Sequence, residues 1–124
     1  MAEGTVLIVD DDAYLRDSLH ALISKWGVDS EEVCSGEEAL LRLKKKEYSL
    51  VLLDMKMEDK DGLDVLDELR RRKLEVPVIM MTAYPHEERM QRVLQHKISL
   101  CLVKPINPGG LKKAMEHFLG ELKK

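Results

Sequence analysis

The chain has 124 residues, enough for one domain of ordinary size and too few for two, so a single domain over residues 1–124 is expected. Charged residues make up 35% of it, yet the net charge is only −3 with both signs interspersed, which argues against a nucleic-acid-binding face or a surface made for anionic membranes. Cys34 and Cys101 stand far apart without metal or redox spacing and read as buried free thiols, while the apolar runs are only strand-sized, so no membrane span and a cytoplasmic location are expected.

Short apolar runs alternate with longer segments of helical period, the pattern of a parallel sheet assembled from βαβ units, with five strands and five helices. Thr5 to Val9 is nearly continuous in β-branched and aliphatic residues, as a strand covered on both faces requires, and it runs into Asp10-Asp11-Asp12. Asp12 is placed to cap a helix whose apolar positions, Leu15, Leu19, Leu22, Ile23 and Trp26, recur at three and four residues until Gly27. Val28 to Cys34 carries Asp29, Ser30, Glu31 and Glu32, which suits a polar edge strand. Ser35-Gly36-Glu37-Glu38 has the form of a capping box for a second helix starting near Gly36, with Ala39, Leu40 and Leu43 turned inward.

Leu50 to Leu53 gives the third strand, Leu63 to Arg72 the third helix, and Val76 to Met81 the fourth strand, where Pro77 is tolerable near the start. His86 to His96 is expected to form helix four and Leu100 to Val103 strand five. After Lys104-Pro105, Asn107 as cap and Pro108 at the first helical position open the last helix, whose inner face is Leu111, Ala114, Met115, Phe118, Leu119 and Leu122.

In a doubly wound sheet, reactive groups gather at the carboxyl ends of the strands. The polar residues of this chain fall there: Asp10, Asp11 and Asp12 after strand one, Asp54 after strand three, Thr82 after strand four and Lys104 after strand five. Crowded carboxylates repel, so the cluster needs a divalent cation or a lysine to neutralise it. Mg²⁺ is the natural candidate, because it takes oxygen ligands and usually one or two carboxylates, which Asp11 and Asp54 can supply. A carboxylate can also attack phosphorus to give an acyl phosphate, with Thr82, Lys104 and the metal stabilising the phosphoryl oxygens.

Four stretches together, Leu7-Ile8-Val9-Asp10-Asp11-Asp12, Leu52-Leu53-Asp54-Met55-Lys56-Met57 with Asp61-Gly62, Met81-Thr82-Ala83, and Lys104-Pro105, closely resemble the signatures of the response regulator receiver domain of two-component signalling. The resemblance spans essentially the whole chain and implies an α/β, flavodoxin-like (βα)5 three-layer sandwich with strand order 2-1-3-4-5. It also implies that Asp54 accepts phosphate from a histidine kinase and that Asp11 and the Lys56 backbone carbonyl ligate Mg²⁺, with Asp10 acting through water. Thr82 and Lys104 would contact the phosphoryl group. The implied partners are the kinase, an output domain absent from this chain or another downstream effector, and a second copy through the helix-four, strand-five, helix-five face. Neither nucleic acid nor membrane would be bound by this domain. The run Val78-Ile79-Met80-Met81-Thr82-Ala83 is also similar to receivers of nitrogen-regulator-class transcriptional activators.

Three sites along the chain depart from the family pattern. The usual aromatic three residues before the strand-five lysine is Cys101, the usual Pro four residues after the acceptor is Glu58, and the usual Gly-Ala before strand five is Lys97-Ile98. In the family, the positions two after the acceptor and two after the threonine govern dephosphorylation; here they are Lys56 and Tyr84, neither able to orient an attacking water as an amide or acid does. A long-lived phosphoryl group is therefore expected.

Plainer roles are assigned elsewhere. Asp12 reads as a helix cap and Met55, Met57, Met80 and Met81 as packing. His20, His86, His96 and His117 have no assigned role, and Lys44-Lys45-Lys46 and Arg70-Arg71-Arg72-Lys73 read as solvated helix ends. An enzyme reading, a phosphohydrolase with an aspartyl nucleophile, is disfavoured because such enzymes carry a second Asp where this chain has Lys56. Only self-phosphorylation and autodephosphorylation chemistry is expected. The alternative is a phosphorylation-independent pseudo-receiver, suggested by Cys101 and Glu58 and opposed by the intact acidic pair, acceptor, threonine and lysine.

Overall fold

A computed structural model describes residues 4–85, 90–96 and 99–123. Its elements alternate as β1 (Thr5–Val9), α1 (Ala13–Lys25), β2 (Asp29–Val33), α2 (Gly36–Lys45), β3 (Leu50–Asp54), α3 (Gly62–Arg71), β4 (Val78–Thr82), α4 (Met90–Gln95), β5 (Ser99–Val103) and α5 (Pro108–Leu119). The strands form one parallel sheet in the order β2-β1-β3-β4-β5, as expected for a flavodoxin-like fold.

The alternation of side chains along a strand divides the core in two. Leu7, Val9, Val51, Leu53, Val78 and Met80 face α2, α3 and α4, where Ala39, Leu43, Leu66, Leu69 and Val93 cover them. Val6, Ile8, Leu50, Leu52, Ile79 and Met81 face α1 and α5 and pack on Leu19, Ile23, Leu111 and Met115. Both faces being covered explains why β1, β3 and β4 read as uninterrupted apolar runs. Met55, Met57, Met80 and Met81 are all buried.

Two acidic residues of edge strand β2 have packing roles. Glu31 accepts hydrogen bonds from Tyr48 Oη (2.6 Å) and Arg42 Nη1 (3.0 Å) and pairs with Lys46, tying the strand to α2, and Glu32 lies 3.4 Å from Arg16 Nε on α1. Lys46 is thus engaged rather than simply solvated. Arg70 likewise departs from the expectation of a solvated helix end: its half-buried guanidinium donates to the carbonyls of Leu74 (2.8 Å) and Val76 (2.9 Å), fastening the turn between α3 and β4.

Several boundaries and details differ from expectation. β4 starts at Val78, since Pro77 has no N–H for the ladder; its carbonyl accepts from Val51 N at 2.9 Å just ahead of the strand. Leu122 lies beyond the end of α5, where Gly120 turns the chain at φ +84°, yet it is still buried. Cys34 is exposed and Cys101 only partly buried, because the first follows the edge strand and the second sits on β5 at the other edge. In α2, Ser35 Oγ accepts from Glu38 N at 3.1 Å, but the Glu38 carboxylate returns to the Cys34 amide (3.2 Å) rather than to that of Ser35. The expected start of helix four at His86 and the Lys97-Ile98 departure fall outside the described residues.

Gly62 is required by close approach. A Cβ there would lie 2.2 Å from the Asp54 carbonyl oxygen, and the Gly62 amide donates to Met55 O at 2.7 Å. Gly62→Ala is expected to lower unfolding stability by about 1–3 kcal/mol, the usual effect of forcing extra volume into packed surroundings. Urea denaturation measures it, and a variant as stable as the parent would refute the steric account.

Candidate functional site: an acidic cluster with one lysine

Asp10 and Asp54 reach the carboxyl edge of the sheet directly from adjacent buried strands, and Asp11 follows one residue later. One carboxylate oxygen from each of Asp10, Asp11 and Asp54 lies within 4.8 Å of the others. Asp10 is 1% and Asp54 4% exposed, whereas Asp11 faces solvent. Lys104, just past β5, extends its ammonium into the cluster, 2.7 Å from Asp54 Oδ1 and 3.3 Å from Asp10 Oδ2.

The remaining contacts fix these groups in place. Asp10 Oδ1 accepts from Asp12 N (2.9 Å), and Arg16 Nη1 donates to Asp10 O (2.7 Å). Asp12 caps α1 as expected, its Oδ1 accepting from Tyr14 N (3.0 Å) and Leu15 N (3.2 Å). Asp11 Oδ2 accepts from Glu58 N (3.0 Å). Lys104 N donates to Thr82 O at 2.7 Å, which links the ends of β4 and β5, and the Lys104–Pro105 peptide is cis. Thr82 is buried, and its Oγ1 accepts from Tyr84 N at 2.9 Å. Lys56 Nζ lies 5.7 Å from the centre of the exposed Tyr84 ring, a cation–π contact between the segments after β3 and β4.

The charges are strongly coupled. Burial pushes the Asp54 carboxyl above its ordinary range; the Asp10 and Asp11 carboxylates add to the rise, and the Lys104 hydrogen bond and charge oppose it. Burial pulls the Lys104 ammonium down, but Asp54 and Asp10 outweigh it and leave the pKa raised. Three carboxylates therefore face one ammonium. An all-oxygen donor set this compact, with negative charge in excess, suits a hard divalent cation.

Of the residues singled out in the sequence, Asp10, Asp11, Asp54 and Lys104 come together here, with Thr82 at the end of the neighbouring strand and Lys56 on the loop after β3. Sequence reasoning missed Arg16 and the Glu58 amide. A basic residue one turn beyond the Asp12 cap was a usable signal for the first, but a main-chain donor leaves none in the side-chain pattern. The histidines take ordinary roles: His20 contacts Ser30, and His96 Nε2 lies 2.8 Å from Asp67 Oδ1. His86 is outside the described residues.

A doubly wound five-stranded sheet with a carboxylate cluster at its strand ends has its polar site where open α/β sheets bind their ligands. The family model "Response regulator receiver domain" matches residues 6–116, and the chain belongs to that family: it is a receiver domain of two-component signalling. It is 32% identical over 114 residues to the transcriptional regulatory protein ZraR of Salmonella typhimurium, a match covering 92% of this chain and 26% of that regulator's length. The chemotaxis protein CheY4 of Vibrio cholerae superposes with a TM-score of 0.86 at 27% identity, covering 95% of this chain and 100% of that one. The response regulator TrrA of Thermotoga maritima, in complex with Mg²⁺-BeF, gives 0.85 at 30% identity, covering 94% and 100%.

A carboxyl group whose pKa is raised by folding costs stability where it is ionised, and that cost disappears as pH falls through the raised folded value toward the ordinary carboxylate range. Without divalent cation, Asp54→Asn is therefore expected to melt at a higher temperature than the parent at pH 7, with the gap closing on acidification. Melting curves across that range test this, and an equal or lower melting temperature for the variant at pH 7 would count against it.

Proposed function

We propose that Asp54 is the phosphoacceptor of a signalling switch, fed by a histidine kinase and read out by an output domain or downstream effector. The observation that carries this reading is the buried Asp54 carboxylate held at Oδ1 by Lys104, 2.7 Å away, which leaves Oδ2 for attack on phosphorus. Oδ2 forms the new P–O bond, the P–N bond to the kinase histidine breaks, and the imidazole departs with a proton. Lys104 is then placed to move from the carboxylate to a phosphoryl oxygen. Thr82 accepts a hydrogen bond at Oγ1, so its own hydroxyl proton remains available to donate to the same group.

Asp10, Asp11, Asp54 and the Lys56 backbone carbonyl are the groups that would hold Mg²⁺. When bound, the ion supplies charge neutralisation for the phosphoryl oxygens. In support, the three carboxylates are already gathered, and a solved relative at 30% identity is a Mg²⁺-BeF complex.

Phosphorylation would draw Thr82 and Lys104 inward and shift a pre-existing conformational equilibrium. Cys101 cannot provide a rotating ring. The hydrogen bond from Lys104 N to Thr82 O supports transmission through the β4–β5 backbone instead, toward a face of α4, β5 and α5 on which Val103 stands half-exposed and a second copy would dock. A cytoplasmic location suits this role; among the described residues no helix is long and apolar enough to cross a membrane. Similarity to transcriptional regulators supports gene control as the output of a longer protein.

Incubation with acetyl phosphate and Mg²⁺ is expected to add one phosphoryl group at Asp54, located by mass spectrometry and lost in Asp54→Asn. No adduct would instead favour a phosphorylation-independent interaction module. The Lys56–Tyr84 contact supports slow autodephosphorylation, since it joins the two side chains at the positions that govern it and neither can orient a water. Lys56→Asn should shorten the phosphoryl lifetime, and an unchanged decay rate in a phosphate-release assay would sink that part of the reading.

A further inference from the structure

Asp11 is the solvent-facing member of the carboxylate cluster, and the Glu58 amide is the main-chain group that restrains it, donating to Oδ2 at 3.0 Å. The loop between β3 and α3 is itself anchored at the next residue. Asp59 lies across the amino end of α2, with Oδ1 accepting from Gly36 N (3.1 Å) and Oδ2 from Glu37 N (3.0 Å). Both amides belong to the first turn of a ten-residue helix and lack partners within it. Lys60 Nζ adds an ion pair with Glu37 at 3.1 Å. Burial acts to raise the Asp59 carboxyl, but the amide hydrogen bonds prevail and hold it below its ordinary range.

We propose, building on the cation-binding reading above, that Asp59 is a positioning residue for the metal site: by docking the loop on α2 it holds the Glu58 amide against Asp11. With Oδ2 held by that amide, the Asp11 carboxylate keeps its place beside Asp10 and Asp54, and little side-chain freedom remains to be lost when a cation binds. A proline at this position, the residue the family pattern carries, has no N–H and cannot make the bond. The departure at Glu58 thus adds a contact to the chemistry instead of merely altering a loop. Groups that orient a metal ligand commonly alter metal affinity roughly 10–100-fold when removed.

The test is titration of the whole chain with Mg²⁺ by calorimetry, alongside amide exchange of Glu58 by NMR in metal-free protein. Glu58→Pro removes the donor, while Glu58→Gln keeps it and controls for the lost side-chain charge. Mg²⁺ is expected to bind Glu58→Pro roughly tenfold more weakly than Glu58→Gln. Asp59→Ala should weaken binding and speed Glu58 amide exchange, Asp59→Asn should recover part of both through its remaining oxygen, and the double variant Glu58→Pro/Asp59→Ala should bind no more weakly than Glu58→Pro alone. Equal affinities for the proline and glutamine variants, or losses that multiply in the double variant, would overturn the proposal. If Glu58→Pro does not fold, Asp59→Ala decides it: unchanged affinity and unchanged exchange refute the coupling. A parent chain that binds no Mg²⁺ overturns the cation-binding reading and this proposal together, whereas a parent that binds normally with indifferent variants overturns only the latter.

Discussion

The pairing of Lys104 with Asp54 and Asp10 is the interaction on which the site depends. Two carboxylates taken almost wholly out of water on neighbouring strands would repel each other and lose hydration at once. The ammonium, 2.7 Å from one and 3.3 Å from the other, offsets part of that cost and does so from a strand two places from β3 in the sheet. The sheet must therefore be assembled through β5 before the charges are balanced. This makes the site both a consequence of the tertiary fold and a local weak point in it, an arrangement that suits the phosphoacceptor role proposed for Asp54.

The rest of the molecule holds that arrangement rigid from below and leaves it adjustable from above. Below, β1, β3 and β4 are buried on both faces by two separate apolar layers, so the positions of Asp10, Asp54 and Thr82 are fixed by close packing. Above, the directional contacts that join the loops among the described residues include Glu58 to Asp11, Asp59 to the start of α2, Lys56 to Tyr84, and Thr82 to Tyr84. Arg16 links the two levels, donating to the Asp10 carbonyl and pairing with Glu32 on the edge strand. On the proposed reading, a charge added at Asp54 would act first on these upper contacts, since each is worth little alone.

The amino-acid sequence by itself determined the alternation of strands and helices, both asparagine- and aspartate-capped helix starts, and the strand-end placement of Asp10, Asp54, Thr82 and Lys104. It could do so because those features are written in local period, capping chemistry and the length of apolar runs. The four matching motifs then supplied the strand order, which periodicity alone does not encode. What only the tertiary structure decided is which groups meet and which stay in solvent: the Glu31 cluster that explains an acidic edge strand, Arg70 turned back onto the α3–β4 turn, the exposure of Cys34, and the Glu58 and Asp59 bonds. These depend on main-chain amides and carbonyls or on the distance between separate loops. Neither is specified by residue type along the chain, so only folding brings them into view.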